Sequence, residues 1–162
     1  MLKYCKEHGI KVAFDLADPF AVGRYRSVFF DLIGNYCDIV FANSEEARFL
    51  SENYDAYECC HSMGKIAPVA IVKNGKKGSY VSDNGKMYSI PLSGTTSPVD
   101  TTGAGDTYAA GFLYGWLNGC SAETSGRIAS FLAGEITASL GAQFPGERKA
   151  ELISAVSEIA HL

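Results

Sequence analysis

The stretch Pro98–Phe112, PVDTTGAGDTYAAGF, sets two aspartates, Asp100 and Asp106, around two threonines and a Gly-Ala-Gly, and an apolar run follows at once. The pattern reads as a glycine-rich turn feeding a helix. The first N–H groups of a helix have no intrahelical acceptor, and the aligned peptide dipoles leave a partial positive charge there. Gly103 and Gly105 let a ligand approach the backbone and permit unusual φ values. Together these features make a cradle for an anion. Asp106 falls in the first turn beside it, where a carboxylate repels a bound phosphate unless it has other work. Accepting the proton of a hydroxyl that attacks the phosphate is such work. A purely structural glycine loop closed by an aspartate is the alternative for so short a motif. The loop has no Lys-Ser/Thr ending, so it is not a P-loop. It is not G-x-G-x-x-G, so a dinucleotide turn is unsupported.

A second pair suits oxygen chemistry. Asn43 and Glu46 stand three residues apart at a helix start and share one face. They fit a capping arrangement. They also offer the oxygen ligands that magnesium prefers while keeping several waters. One residue can serve both purposes. His8, His61 and His161 are scattered without partners, so histidine catalysis is not indicated.

The elements that position these groups follow from periodicity and punctuation. LKYCKEH reads as a helical turn stopped at Gly9, and KVAFDL as a buried strand. Asp18-Pro19 reads as a strand-end turn, with Phe14 and Phe20 in the core. RYRSVFFDLIGNY has helical spacing with Val28, Leu32 and Ile33 inward, and CDIVFAN is a short apolar strand. NSEEARFLSEN starts a helix capped by Asn43 or Ser44, with two glutamates where the dipole favours them. AYECCHSM reads as a short helix and PVAIVKN as a buried strand. GSYVSDNGKMYSIP is a hairpin turning at Asp83-Asn84-Gly85. AGDTYAAGFLYGWLNG is a helix ended near Gly119, with Tyr114 and Trp116 as core residues. Ser121 caps a helix that runs to about Gly141. Pro145-Gly146 precede a last amphipathic helix to Leu162. Strands and helices alternate early, a hairpin follows, and helices come late. This order predicts an α/β layered architecture with a mostly parallel sheet.

The 162 residues fit one domain, and 47% hydrophobic with 20% charged residues is a globular balance. A net charge of −4 and a pI near 5.3 argue against a nucleic-acid partner. No apolar run is long enough to span a bilayer, and MLKYCKEHGI lacks a signal-peptide core. Five cysteines without C-x-x-C spacing read as reduced thiols in a cytoplasmic protein, with Cys5, Cys37 and Cys120 as core filler.

DTTGAGDTYAAGF closely resembles the C-terminal signature of the PfkB (ribokinase-like) family of carbohydrate and nucleoside kinases. The resemblance implies a ribokinase-like fold and ATP-dependent phosphoryl transfer to a hydroxyl of a sugar or nucleoside. It implies Asp106 as catalytic base, with Gly103, Ala104 and Gly105 in the anion hole. The family often holds a monovalent cation near the first aspartate, which points to Asp100 and Thr102 and to potassium. Asn43-Ser44-Glu45-Glu46 looks like the family's N-x-x-E motif, which organises magnesium through water. VAIVKNGKKGSYV resembles the strand and turn lining the nucleotide site, and Gly75 and Gly78 fit. Lys73 replaces the usual threonine or serine: it either contacts a phosphate or is a solvated strand-end lysine. EITASLGAQ resembles the segment beside the adenine, where Ala133 and Ala142 either line the pocket or simply pack.

VAFDLADPFAVGRYRSVFFDLIGNYCDIVFAN is similar to adenosine-kinase-type members, with Asp15 in place of an asparagine. That favours a nucleoside acceptor. Family members extend over about twice this length. Residues 1–162 therefore match the C-terminal part of such a kinase domain, and the half bearing the lid, the Gly-Gly signature and the sugar-gripping aspartate is expected upstream of Met1. An exposed sheet edge then predicts a homo-oligomer, and without the residues that grip the acceptor hydroxyl negligible kinase activity is expected of the chain alone. The alternative is a truncated or degenerate remnant, a nucleotide-binding or interaction module without catalysis.

Overall fold

The computed structural model describes residues 1–94 and 98–161 and divides into two compact units. The first comprises Met1–Asn74 and Tyr80–Ser89, and the second Gly75–Ser79 and the chain from Ile90 onward.

In chain order the first unit holds α1 (Leu2–Glu7), β1 (Ala13–Asp15), α2 (Pro19–Arg24), α3 (Arg26–Tyr36), β2 (Ile39–Asn43), α4 (Ser44–Ser51), α5 (Ala56–Met63) and β3 (Val69–Lys73). With β4 (Ser79–Asp83) and β5 (Lys86–Ile90) the strands form a five-stranded sheet in the order β1-β2-β3-β4-β5. β1 pairs parallel with β2, and β2 with β3, so that Asp15 lies opposite Phe41 and Asn43 opposite Lys73. The links into and out of β4 are too short for a parallel crossover. β4 therefore runs against its neighbours, and the sheet is mixed but mostly parallel.

β2 and β3 are buried at each of their first four residues. Such strands are covered on both faces, which is why they read as unbroken apolar runs. Val40, Ala42, Ala70 and Val72 share a core with Ile33 of α3, Leu50 of α4 and Cys59, Cys60 and Met63 of α5. Full burial of Ile33 or Leu50 contributes about 1.5–3 kcal/mol each. The Cys60 thiol lies 3.4 Å from the Ala70 carbonyl and 3.3 Å from that of Tyr80. Burial pushes its pKa up to about 12, so it is an inert core group.

Asp18 Oδ1 accepts the N–H groups of Phe20 and Ala21, and Pro19 opens a helix. Asp-Pro is thus an N-cap followed by a favoured first helical residue rather than a strand-end turn. The side chain of Phe20 points outward at 82% exposure. On α3 only Ile33 of the three expected inward residues is fully buried, while Val28 is half exposed. Phe29 and Phe30 pack on the core instead, on a helix whose first residue, Arg26, donates to the Leu50 carbonyl at 2.6 Å. The hairpin turn is as expected, with positive φ at both Asn84 and Gly85.

The second unit contains α6 (Ala104–Leu117), α7 (Ala122–Ile136) and α8 (Lys149–Ala160). α6 and α7 approach closely through small residues. A Cβ on Gly111 would stand 3.0 Å from Ala129 Cα, and one on Gly115 2.8 Å from Ser125 Oγ. Tyr108 anchors α6 by a 2.6 Å hydrogen bond to Ser79. Tyr114, expected inside, is half exposed, and Trp116 is half buried. The helix expected to reach Gly141 ends at Ile136. Its next carbonyl, Thr137 O, accepts the N–H of Val99 at 2.7 Å and of Asp100 at 3.3 Å. The Gly141 N–H that would have bonded it goes to Asp100 instead. The last helix stops at Ala160, and Leu162 lies outside the described residues.

Candidate active site

Gly103 is the N-cap of α6 at φ 77, with no side-chain cap. A glycine is required there twice over, since a Cβ would also stand 2.5 Å from Ala142 Cβ. The Ala104 N–H donates to Thr101 O at 3.2 Å. Gly105 and Asp106 follow at the second and third helical positions, where amides lack intrahelical acceptors. Both residues are exposed. The Asp106 carboxylate has no hydrogen-bond or ion-pair partner among the described residues. The helix start thus presents amides and an uncommitted carboxylate to the same solvent-facing turn.

Asp100 organises the loop behind it. Its Oδ1 accepts the Thr102 N–H at 2.9 Å and the Thr102 hydroxyl at 2.7 Å, while its Oδ2 accepts the Gly141 N–H at 2.9 Å. The Gly141 amide, then the Thr102 amide and hydroxyl, hold the Asp100 carboxyl below its ordinary value of 3.8. A depressed folded-state pKa contributes stability that is present above the ordinary value and lost as pH falls through the lower one. The Gly141 amide resonance is therefore expected to titrate below pH 3.8 and to lose exchange protection there. Asp100→Asn should flatten that titration, and a Gly141 amide indifferent to both changes would dissociate the loop from Asp100.

In the first unit Asn43 is the cap of α4, and the reciprocal capping box is complete. Asn43 Oδ1 accepts the Glu45 and Glu46 N–H groups, and Glu46 accepts the Asn43 backbone N–H at 2.8 Å and its side-chain amide at 2.6 Å. Glu46 is only 4% exposed. Burial pushes its carboxyl above the usual range, against the Asn43 N–H, and Asp15 adds to the rise. Each Glu46 oxygen accepts one hydrogen bond from Asn43, so direct ligation of a cation would compete with the cap. Among the described residues no group of His, Cys, Asp and Glu stands ready to enclose a metal ion.

Lys73, at the end of β3, is not a solvated lysine. It pairs with Asp15 at the end of β1 at 3.0 Å. Sequence reading missed this pair, although the signal existed: opposite charges end two parallel strands. Gly75 at φ 54 faces open space, whereas Gly78 at φ 84 is a glycine because a Cβ would fall 2.1 Å from Ile90 O. Ala142 packs on Gly103, and Ala133 is half buried on α7. An apolar cleft of about 530 Å³ opens within the second unit, lined in part by Thr107, Tyr114, Leu132, Phe144 and Ile153. Its lining does not include Gly105 or Asp106.

A mostly parallel sheet with polar residues at its strand ends, and a glycine turn leading to an exposed helix-start aspartate, define an α/β protein of the ribokinase-like class. The chain belongs to the pfkB family of carbohydrate kinases, whose family model matches residues 1–149. It is 39% identical over 135 residues to an uncharacterized sugar kinase of Archaeoglobus fulgidus, covering 82% of this chain and 52% of the relative. It is 37% identical over 110 residues to a nucleoside kinase of Methanothermobacter thermautotrophicus, covering 66% of this chain and 34% of the relative. The solved structure of adenosine kinase from Sinorhizobium meliloti matches with a TM-score of 0.86 at 34% identity, over 95% of this chain and 47% of that one. The chain spans at most about half the length of each of these proteins.

Proposed function

We propose that the chain carries the nucleotide-phosphate and catalytic-base part of an ATP-dependent kinase that phosphorylates a hydroxyl of a sugar or nucleoside, with an adenosine-like acceptor favoured. The observation that carries this is Asp106, exposed and unpartnered among the described residues at the start of α6. The attacking hydroxyl gives its proton to the Asp106 carboxylate as its oxygen bonds to the γ-phosphorus, and ADP leaves with the bridging oxygen. Backbone amides at Gly103–Asp106 stabilise the charge on the transferring group. Of these, the Ala104 amide must turn from Thr101 O to take part. Gly75, Gly78, Ala133 and Ala142 border the nucleotide in this proposal, with Gly75 the turn residue that leaves most room. Asp100 and Thr102 would hold a monovalent cation such as potassium. The similarity to a nucleoside kinase and an adenosine kinase supports the acceptor class.

Magnesium, when bound, offsets the phosphate charge, and Asn43 and Glu46 would hold it through water. Glu46→Gln is then expected to raise the magnesium concentration needed for half-maximal activity several-fold, and to cost about 1 kcal/mol of stability through the weakened cap. An unchanged magnesium titration beside that stability loss would leave Glu46 with capping alone.

A panel of nucleosides and sugars in a coupled ADP-release assay tests the proposal. Acceptor-dependent release supports it, with nucleosides ahead of sugars, and would overturn the expectation that the chain alone is nearly inactive. Because the chain spans only about half of its relatives' length, a second reading has support: nucleotide binding without appreciable transfer by this chain alone. ATP binding with no acceptor-dependent release favours that reading.

The proposal includes a cytoplasmic protein, supported by free thiols at Cys5, Cys37, Cys59, Cys60 and Cys120. Among the described residues no helix is long and apolar enough to cross a membrane. It also includes self-association, because β1 ends the sheet order with its outer edge unpaired and Ile10 beside it is half exposed. Light scattering at low micromolar concentration is expected to show a dimer or larger species. A monodisperse monomer would contradict association through that edge.

A further inference from the structure

Lys73 ends β3 and Asp15 ends β1, and β2 runs between them. Their side chains meet all the same, with Lys73 Nζ donating to Asp15 Oδ2 at 3.0 Å. The lysine therefore reaches across the carboxyl end of β2, starting opposite Asn43 in the β2–β3 register. Its side chain is only 17% exposed. An ammonium carries three N–H donors. Among the described residues Asp15 is its one hydrogen-bond acceptor, so donor capacity is left over.

Asp15 is held from its other side as well. Its Oδ1 accepts the N–H of Ala17 at 3.1 Å. Ala17 lies at φ 62, a left-handed conformation that is costly for a residue with a Cβ. The carboxylate seals this turn with one oxygen and holds Lys73 with the other. Two acidic groups lie near the pair, Asp18 and the buried Glu46, whose carboxyl Asp15 and Asp18 repel and Lys73 attracts. The first-turn amides of α4 at Glu45 and Glu46 are consumed by Asn43 Oδ1. Among the described residues Lys73 offers donor capacity to an anion arriving at this end of the sheet.

We propose that Asp15 is an internal counter-anion that holds Lys73 across the end of β2 in the empty protein and yields it to a phosphate oxygen of the bound nucleotide. The inference rests on the phosphotransfer reading above and gives Asp15 a role that the reading lacks. Ligands of open α/β sheets bind beyond the carboxyl ends of the strands, where this pair lies. Several phosphate oxygens can use the ammonium donors that a single carboxylate oxygen leaves idle. Asp15 in turn keeps an unpaired ammonium from being left half-buried when no phosphate is present.

Titration of the 162-residue chain with inorganic tripolyphosphate, without metal or nucleoside, tests this by calorimetry at low ionic strength. Lys73→Met is expected to weaken binding about tenfold, the loss of one charge-assisted hydrogen bond. Asp15→Asn keeps an oxygen for the Ala17 amide and removes only the competing charge. It is expected to tighten binding roughly threefold. In ¹H–¹⁵N spectra of the lysine ammonium groups, the free-state Lys73 signal should differ between wild type and Asp15→Asn, and the ligand-bound signals should coincide. If Lys73→Met does not fold, Lys73→Gln is read in the same way. Wild-type affinity in the lysine variant, no binding to the wild type, or an Asp15→Asn variant weakened like Lys73→Met overturns the proposal. The probe has no acceptor hydroxyl and needs no base, so these outcomes are independent of whether Asp106 serves in transfer.

Discussion

Asp106→Asn, in any form of the protein that transfers phosphate, is expected to lower that transfer by about 10²–10⁴-fold, the usual contribution of a general base, and to leave ATP affinity nearly unchanged. The substitution is isosteric and keeps every backbone amide at the start of α6, so the phosphate cradle survives while the proton acceptor is lost. The side chain has no partner among the described residues, so folding should not suffer. The signature is therefore a fall in kcat with KM for ATP and thermal stability held, measured by acceptor-dependent ADP release and a melting curve. Near-normal turnover in the variant would remove Asp106 from its role and return the loop to a structural reading.

Gly103→Ala should be the most damaging small change at the site. The new Cβ forces a residue with a side chain to φ 77 and meets Ala142 Cβ at 2.5 Å. Left-handed strain costs about 1–2 kcal/mol and overpacking about 1–3 kcal/mol. A loss of about 2–5 kcal/mol is thus expected by denaturant unfolding, with weakened ATP binding, because the turn that aims the Gly105 and Asp106 amides must move. Combining it with Ala142→Gly removes the Cβ–Cβ contact but leaves the 2.9 Å approach to the residue-142 Cα and the backbone strain, so the double variant should recover only part of the loss. A Gly103→Ala protein as stable as the wild type, with unchanged ATP affinity, would show that the turn does not depend on this geometry.

The local elements were legible because their signals are short-range. Asn43, Asp55 and Ser121 each cap the helix that follows, and Asn84-Gly85 makes the hairpin turn. β2 and β3 read as buried strands because both their faces are covered. What escaped was set by partners distant in sequence. α7 stops at Ile136 because Val99 and Asp100 capture the Thr137 carbonyl and Asp100 captures the Gly141 amide, and no periodicity in residues 122–141 records that. On α3 Arg26 bonds to Leu50 and Phe29 and Phe30 pack on the core, so Val28 looked inward only on paper. At the site, the glycine turn and Asp106 were readable from spacing. Lys73 was visible as a charge out of place, but its partner Asp15 is 58 residues away and emerges only from the strand order.

The central claim is that the turn at Gly103–Asp106 seats the transferring phosphate with Asp106 beside it. A crystal structure of the chain with a non-hydrolysable ATP analogue and magnesium tests this most directly. The claim requires γ-phosphate oxygens within about 3 Å of the Gly105 and Asp106 amide nitrogens, with the Asp106 carboxylate open toward the side from which a hydroxyl attacks. A triphosphate seated away from the start of α6, or an Asp106 carboxylate turned into a hydrogen bond with its own chain, would contradict it.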